Sequence, residues 1–411
     1  MSARMATVDA QFYWMSAKIP SDQFLLYAFG GAADFARAVG EVRGRAQACR
    51  PLTMRVDDGS ALTYPRWVPA AVEPAQLLRH QLGDDSWHGC LDAMVRLAEN
   101  QLDVRRAPWR LHLFAPVHGI PGSTGPGAVA VMQVAHALAD GARASALAAW
   151  LFGRAAPVPD VPTLSPGFLP WRALDAARTH HKLVRDSRSG LLPSPVGSRP
   201  LLSINARPAG ARTVRTLVRH RSQLRGPTVT VAALAAVSGA LSGYLGDAAA
   251  SLGAEVPMAK LGVRQAHNHF GNVTVGLYPE LPREARVERI ATDLANARRR
   301  SQHPAARAAD RAFATVPAPL LRWGVAQFDP DVRPSQVSGN TVVSSVHRGP
   351  ADLHFGSAPV LLTAGYPALS PAMGLTHGVH GIGDTVAVSV HAAESAVADV
   401  DDYLRRLDAE L

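Results

Sequence analysis

The segment His136-Ala137-Leu138-Ala139-Asp140-Gly141 stands between an eight-residue β-like run, Gly127 to Val134, and an apolar stretch, Ala142 to Phe152, that reads as a helix. A histidine at the end of a strand, four residues ahead of an aspartate and one turn before a helix, meets the needs of a general base. An unperturbed imidazole near pKa 6.5 accepts a proton from a hydroxyl around neutral pH. Asp140 is too close in sequence to orient that base from behind, as the acid of a catalytic triad does, and is better placed to brace the loop by pairing with an arginine from elsewhere. Gly141 would let the backbone turn tightly beneath the histidine. A second reading uses the same residues structurally: His136 is buried beside the helix and Asp140 is its N-cap. Only context separates the two, because one His, one Asp and one Gly at fixed spacing recur easily in a chain with 16 His and 34 Gly.

A length of 411 residues with 47% hydrophobic and 18% charged content describes a packed chain with material for two cores. The start, Met1 to Asp9, has no continuous apolar segment of a secretory signal, which predicts a cytoplasmic protein. The two cysteines, Cys49 and Cys90, stand in no metal or redox spacing and suit a reducing compartment. Val229 to Leu245 is apolar but rich in Ala, Ser and Gly, and reads as a buried helix rather than a membrane span.

The net charge of +9 is not spread evenly. Between Arg172 and Arg225 twelve Lys and Arg face two acids, a local excess of ten. A solvated basic face, a landing surface for anionic lipid or coenzyme A phosphates, and a nucleic-acid footprint compete for this segment. The absence of interleaved aromatics and of a DNA-binding motif argues against nucleic acid. Pro157 to Pro170 and Gly190 to Pro200 are turn-rich and flank a short helix expected at Leu174 to Asp186, so the segment also reads as a crossover linker.

On either side of that linker the chain alternates helical and strand-like patterns. In the first half Leu91, Met94, Val95 and Ala98 mark an amphipathic helix, and Leu111 to Val117 precedes the Gly127 to Val134 strand. The second half offers helices at Ala232 to Leu245, Val287 to Ala297 and Val400 to Leu411, with strands at Asn272 to Leu277, Thr341 to Val346 and Thr385 to Val390. The expected organisation is an α/β (α+β) chain in two halves: residues 1–155 with the motif, a Pro-rich basic linker over 156–213, and residues 214–411.

This order of elements resembles the bacterial wax ester synthase/diacylglycerol acyltransferases (WS/DGAT), within the chloramphenicol acetyltransferase-like superfamily. The resemblance runs from Val8-Asp9-Ala10-Gln11-Phe12 to the closing helix. Arg106-Ala107-Pro108-Trp109 falls where the family has Arg-Pro-Leu-Trp. The Met258 to Arg264 run with Gly271-Asn272 resembles its Val-Pro-Val-Ser-Leu-Arg and Gly-Asn segments, and Ser344 to Pro350 resembles its Ser-Asn-Val-Pro-Gly-Pro turn. The resemblance implies two acyltransferase-like domains, each a mixed sheet flanked by helices, with the active site in a tunnel at their interface. It implies His136 as the base of the family's HHxxxDG, with Asp140 and Gly141 at its last positions, and Asp9, Trp109, Asn272 and Ser344 as substrate-binding or tunnel-lining residues; read by themselves, Trp109 fits a core filler beneath the site better than a substrate contact, and Asn272 fits a turn as well as a tunnel wall. It also implies acyl-CoA as co-substrate with no bound cofactor, a lipid hydroxyl acceptor, and peripheral contact with a membrane or lipid droplet through the basic linker.

Three departures bear on activity. The first motif histidine is Ala135, the Pro-Leu-Trp segment keeps only its tryptophan, and the Asn-Asp that opens the family's next helix is replaced by Thr230-Val231. The base survives while its surroundings change, which leaves the acceptor open among diacylglycerol, a long-chain alcohol and a related lipid. An inactive lipid-binding paralogue and an amide-forming condensation domain are the competing readings. Arg264 is a candidate partner for Asp140, with Arg55 and Arg66 as competitors. His267 with His269, and His377 with His380, are paired histidines that no carboxylate or cysteine completes into a metal site.

Overall fold

A computed structural model of the chain describes residues 2–31, 34–162 and 167–411. Two six-stranded mixed sheets form its frame. In the first, the order is His354–Phe355, Ala358–Gly365, Gln23–Gly30, Gly127–Val134, Trp109–Val117 and Leu77–His80. All neighbours there are antiparallel except the last pair, Leu77–His80 with Trp109–Val117. In the second, Phe270–Gly276, Gly253–Ala259, Thr341–His347, Leu375–Ile382, Thr385–Ala393 and Arg212–His220 lie side by side, and Thr341–His347 runs parallel to both of its neighbours.

The sheets exchange a strand. Ala358–Gly365 follows the second-sheet strand Thr341–His347 in the chain, yet it pairs with Gln23–Gly30 of the first sheet, Thr363 opposite Tyr27. Residues 354–365 therefore belong with the first sheet, which corrects the expected assignment of everything after 214 to the second half. Buried Arg348, at the exit of Thr341–His347, ties the exchanged strand down by donating to the hydroxyl of Thr363 and the carbonyl of Ala364.

Strands buried on both faces explain what periodicity missed. Leu375–Ile382, which periodicity does not reveal, is buried at every position and so lacks the alternation that marks a half-exposed strand. Expected helices form where side-chain caps start them: Asp140 accepts from the Arg143 amide at 2.9 Å and Asp399 from the Asp402 amide at 2.8 Å. The linker helix is longer than expected, Leu169–Arg188, because Pro170 sits in its first turn, where a missing N–H costs nothing. Val229–Leu245 is long and apolar enough to cross a membrane by composition, but its Val231 to Ser238 stretch is buried in the second core. It is a core helix here.

Candidate functional site

The motif loop leaves the first sheet after Val134 and meets a loop of the second half, residues 264–269, across the junction of the two halves. The side chain that joins them is Asn268. Its Nδ2 donates to the Asp9 carboxylate at 2.9 Å and to the His136 carbonyl at 2.7 Å. The His136 carbonyl can only accept, so it fixes the amide orientation and Oδ1 must face Nδ1 of His136, 2.9 Å away. An oxygen at that position requires a proton on Nδ1. The lone pair of the neutral ring is then on Nε2, the nitrogen free to take a proton.

The His136 ring lies nearly parallel to Phe12, with centroids 4.1 Å apart, and Phe270 stands 5.6 Å away at 21°. Phe12 belongs to the Thr7–Ser16 helix and Phe270 opens the edge strand of the second sheet, so aromatic groups from both halves hold the imidazole plane. Burial in this setting keeps the His136 pKa below its ordinary value, against the opposing influence of Asn268 and Asp140. The ring is therefore neutral at pH 7.

Asp9 stands behind Asn268 and is buried. Its two oxygens accept from the backbone amides of His267 and Asn268, each at 2.9 Å, as well as from the Asn268 side chain. Burial raises its carboxyl to about 7, although these donors favour the ionised form. Asp9 thus fastens the second-half loop to the first-half helix and is not exposed to a substrate, a correction to its expected place in a tunnel wall.

Asp140 is both a helix cap and a brace. It accepts from the Arg143 and His269 amides, and it takes a two-pronged ion pair from Arg264 at 2.8 and 3.1 Å. Burial opposes its ionisation, but the Arg264 guanidinium and the two amides together hold its carboxyl below the usual range. Arg55 and Arg66 bond elsewhere, to the Arg105 carbonyl and to Ser2. Gly141 is ordinary helical backbone rather than a left-handed turn, so the expected tight turn is not its role. A methyl group added there would meet Val346 at 3.5 Å, an ordinary contact.

That contact locates the second sheet against the motif. Ser344, two residues from Val346 on the same strand, shares its face, while Ser345 on the other face bonds Thr230 at 2.8 Å. Asn272 likewise shares the face of Phe270, is exposed, and donates to Glu255 at 3.2 Å. Trp109 is completely buried, with its indole N–H on the Leu52 carbonyl at 2.8 Å, and belongs to the first core rather than to a substrate path. Ala135, at the position of the motif's first histidine, is buried in the same core.

Asn268, Phe12 and Phe270 were not singled out from the sequence as acting on His136. The distance of 132 positions between His136 and Asn268 leaves no local signal. His377 is buried between Thr341 and Tyr403, at 2.9 and 2.7 Å, as part of the second core. Among the described residues no group of three His, Cys, Asp or Glu is placed to hold a metal ion. A cavity of about 190 Å³ lies elsewhere on the junction, lined from both halves by residues including Phe24, Tyr366 and His391, and His136 is not among its lining residues.

Residues 267–411 match the WS/DGAT C-terminal domain. No curated protein matches the sequence. Among solved structures, the wax ester synthase/diacylglycerol acyltransferase from Marinobacter aquaeolei VT8 superposes with a TM-score of 0.64 at 18% identity, over 99% of this chain and 98% of that one. A variant of the starter condensation domain of rhizomide synthetase RzmA in complex with C8-CoA superposes with a TM-score of 0.63 at 12% identity, over 100% and 94%. Another variant of that domain, with C8-CoA and Leu-SNAC, gives 0.61 at 13% identity, over 99% and 92%. The chain has the two-domain chloramphenicol acetyltransferase-like fold that these proteins share.

Proposed function

Since residues 267–411 match the WS/DGAT C-terminal domain and the chain has the fold of these acyltransferases, we propose that it transfers a fatty acyl group from acyl-CoA to a lipid hydroxyl, with His136 as general base. The observation that carries the reading is the set tautomer of His136: Asn268 occupies Nδ1, which leaves a basic Nε2 on a ring held neutral by burial. An acceptor O–H gives its proton to Nε2 as its oxygen attacks the thioester carbonyl. The tetrahedral oxyanion then collapses, the C–S bond breaks, and coenzyme A leaves as a thiolate that takes the proton back from the imidazolium. No acyl-enzyme is required, and no metal or cofactor enters the steps.

Two supports come from relatives. The condensation domain that shares this fold was solved with C8-CoA, so the fold accommodates an acyl-CoA in that protein. The missing first histidine here maps to a core position, Ala135, so its loss does not strip a reacting group from the junction. The protein would act in the cytoplasm.

The test is coenzyme A release from acyl-CoAs of increasing chain length against diacylglycerols, long-chain alcohols and amines, with His136→Ala as control. Release that depends on a hydroxyl acceptor and disappears in His136→Ala supports the proposal. Release only with amines would move the protein to the condensation class. Acyl-CoA binding without release from any acceptor would make it a lipid-binding paralogue.

A further inference from the structure

The cavity on the junction, whose lining does not include His136, brings buried polar groups of both halves together. Its volume is about 190 Å³. An apolar cavity of roughly 150 Å³ holds benzene, so this one has room for a ligand of about six to ten non-hydrogen atoms. Asp22 and Phe24 line it from the first half and His391 from the second, with Tyr366 and Leu369 from the segment that leaves the exchanged strand.

Asp22 is 8% exposed, and its Oδ2 accepts from the Leu102 amide and from Nε2 of Gln133, both at 2.8 Å. Gln133 is itself fixed, since the same Nε2 donates to the Asn100 carbonyl at 2.8 Å. Oδ1 of Asp22 has no hydrogen-bond partner among the described residues, and no Lys or Arg forms an ion pair with this carboxylate there. Burial raises its carboxyl above the ordinary value, which a seated cation would oppose. His391 is 6% exposed, and its Nδ1 lies 3.0 Å from the Pro367 carbonyl. A carbonyl only accepts, so Nδ1 carries the proton and Nε2 the lone pair. Burial lowers this ring to about 4, so it is neutral at pH 7, and its Nε2 has no partner.

The buried wall thus offers two unspent acceptors, while the Tyr366 hydroxyl is already held by Thr216 at 2.5 Å. Three cations also line the cavity. Lys18 gives its ammonium to the carbonyls of Ala326 and Phe328, and Arg207 pairs with Asp331. Arg212 is exposed and makes no side-chain hydrogen bond or ion pair among the described residues. An anion alone would meet the Asp22 carboxylate, and a hydroxyl has one proton for two acceptors. A primary ammonium has three N–H groups, all donors, and a charge that answers Asp22.

We propose that this cavity binds a small α-amino acid with an apolar side chain: the ammonium toward Asp22 and His391, the carboxylate toward Arg212, the side chain against Phe24 and Leu369. The proposal stands on the cavity and its unspent groups and does not depend on acyl transfer at His136.

Isothermal titration calorimetry of the full-length protein tests it with three probes of similar shape: L-leucine, isoamylamine, which lacks the carboxylate, and isocaproate, which lacks the ammonium. The expected result is saturable binding of L-leucine, weaker binding of isoamylamine and none of isocaproate. Asp22→Asn should weaken L-leucine binding about tenfold or more, as loss of a charge-assisted hydrogen bond does. Arg212→Gln should bring L-leucine down to the level of isoamylamine. Ala98→Phe, which fills the cavity from another wall and leaves Asp22 in place, should abolish binding with an unchanged melting temperature. If Asp22→Asn fails to fold, Ala98→Phe and the isocaproate comparison decide. No saturable binding of L-leucine, as for a cavity that holds only water, would overturn the proposal. So would isocaproate binding as tightly as L-leucine, or L-leucine binding unchanged in Ala98→Phe.

Discussion

Asn268 faces His136 with its oxygen because its nitrogen is already committed to Asp9 and to the His136 carbonyl, at 2.9 and 2.7 Å. A neutral amide thus does what a carboxylate does in a Ser-His-Asp triad: it sets the tautomer and the ring position of the base. The difference is that no negative charge touches Nδ1. Asn268→Ala should remove the tautomer preference, worth about 1 kcal/mol for a neutral hydrogen bond, and lower kcat/KM about five- to tenfold. Nitrogen-15 NMR of the imidazoles, with His136 assigned by its loss in His136→Gln, should show Nδ1 protonated in the wild type and mixed tautomers in Asn268→Ala. A wild-type ring protonated on Nε2 would contradict the assignment.

The pH profile follows from the same contact. Burial lowers the His136 pKa, and the base works only when neutral, so kcat/KM should rise with pH along an acid limb below the ordinary value of 6.5 and be flat around pH 7. Asn268→Asp would place a carboxylate on Nδ1 and favour the imidazolium, moving that limb to higher pH. A limb that does not move between wild type and Asn268→Asp would argue against His136 as the titrating base.

Asp9 should give the fold a pH dependence of its own. Its folded-state value of about 7 is above the ordinary 3.8, so the native state holds the proton that the unfolded chain has already lost between those limits. Its stabilising contribution is complete below pH 3.8 and is lost as pH rises through about 7. Urea midpoints measured from pH 5 to 8 should fall more steeply for the wild type than for Asp9→Asn.

Removing one partner of the buried Asp140–Arg264 pair leaves an uncompensated charge. Arg264→Met should destabilise the protein by about 3–5 kcal/mol, and adding Asp140→Asn should recover part of that loss. A double-mutant cycle on melting temperatures and denaturant midpoints measures the coupling. Additive single effects would mean that the pair is not the brace of this loop.

Restoring the family's first histidine should not restore anything. Ala135 is packed in the first core, where a larger side chain overpacks, so Ala135→His should cost about 1–3 kcal/mol and leave kcat no higher than in the wild type. A gain in kcat with unchanged stability would show that the position reaches the site.

The closing helix of the second half was readable because Val400–Glu410 keeps a periodic face, burying Tyr403 and Leu407 four positions apart. Gln23–Gly30 and Leu375–Ile382 were not, since strands covered on both faces lose the alternation that reveals them. The exchanged strand Ala358–Gly365 carries no mark of its destination either, because pairing with Gln23–Gly30 is a choice made more than 300 positions away.

Sequence alone pointed to His136 as the candidate base, to Asp140 as its brace and to the helix that follows, because strand end, cap and helix are local properties of residues 127–152. It also narrowed the partner of Asp140 to three arginines. Tertiary structure chose Arg264, supplied Asn268 to set the tautomer of His136, and buried Asp9 behind it. Those decisions rest on hydrogen bonds and stacking between the halves, and such contacts exist only once distant segments are packed together.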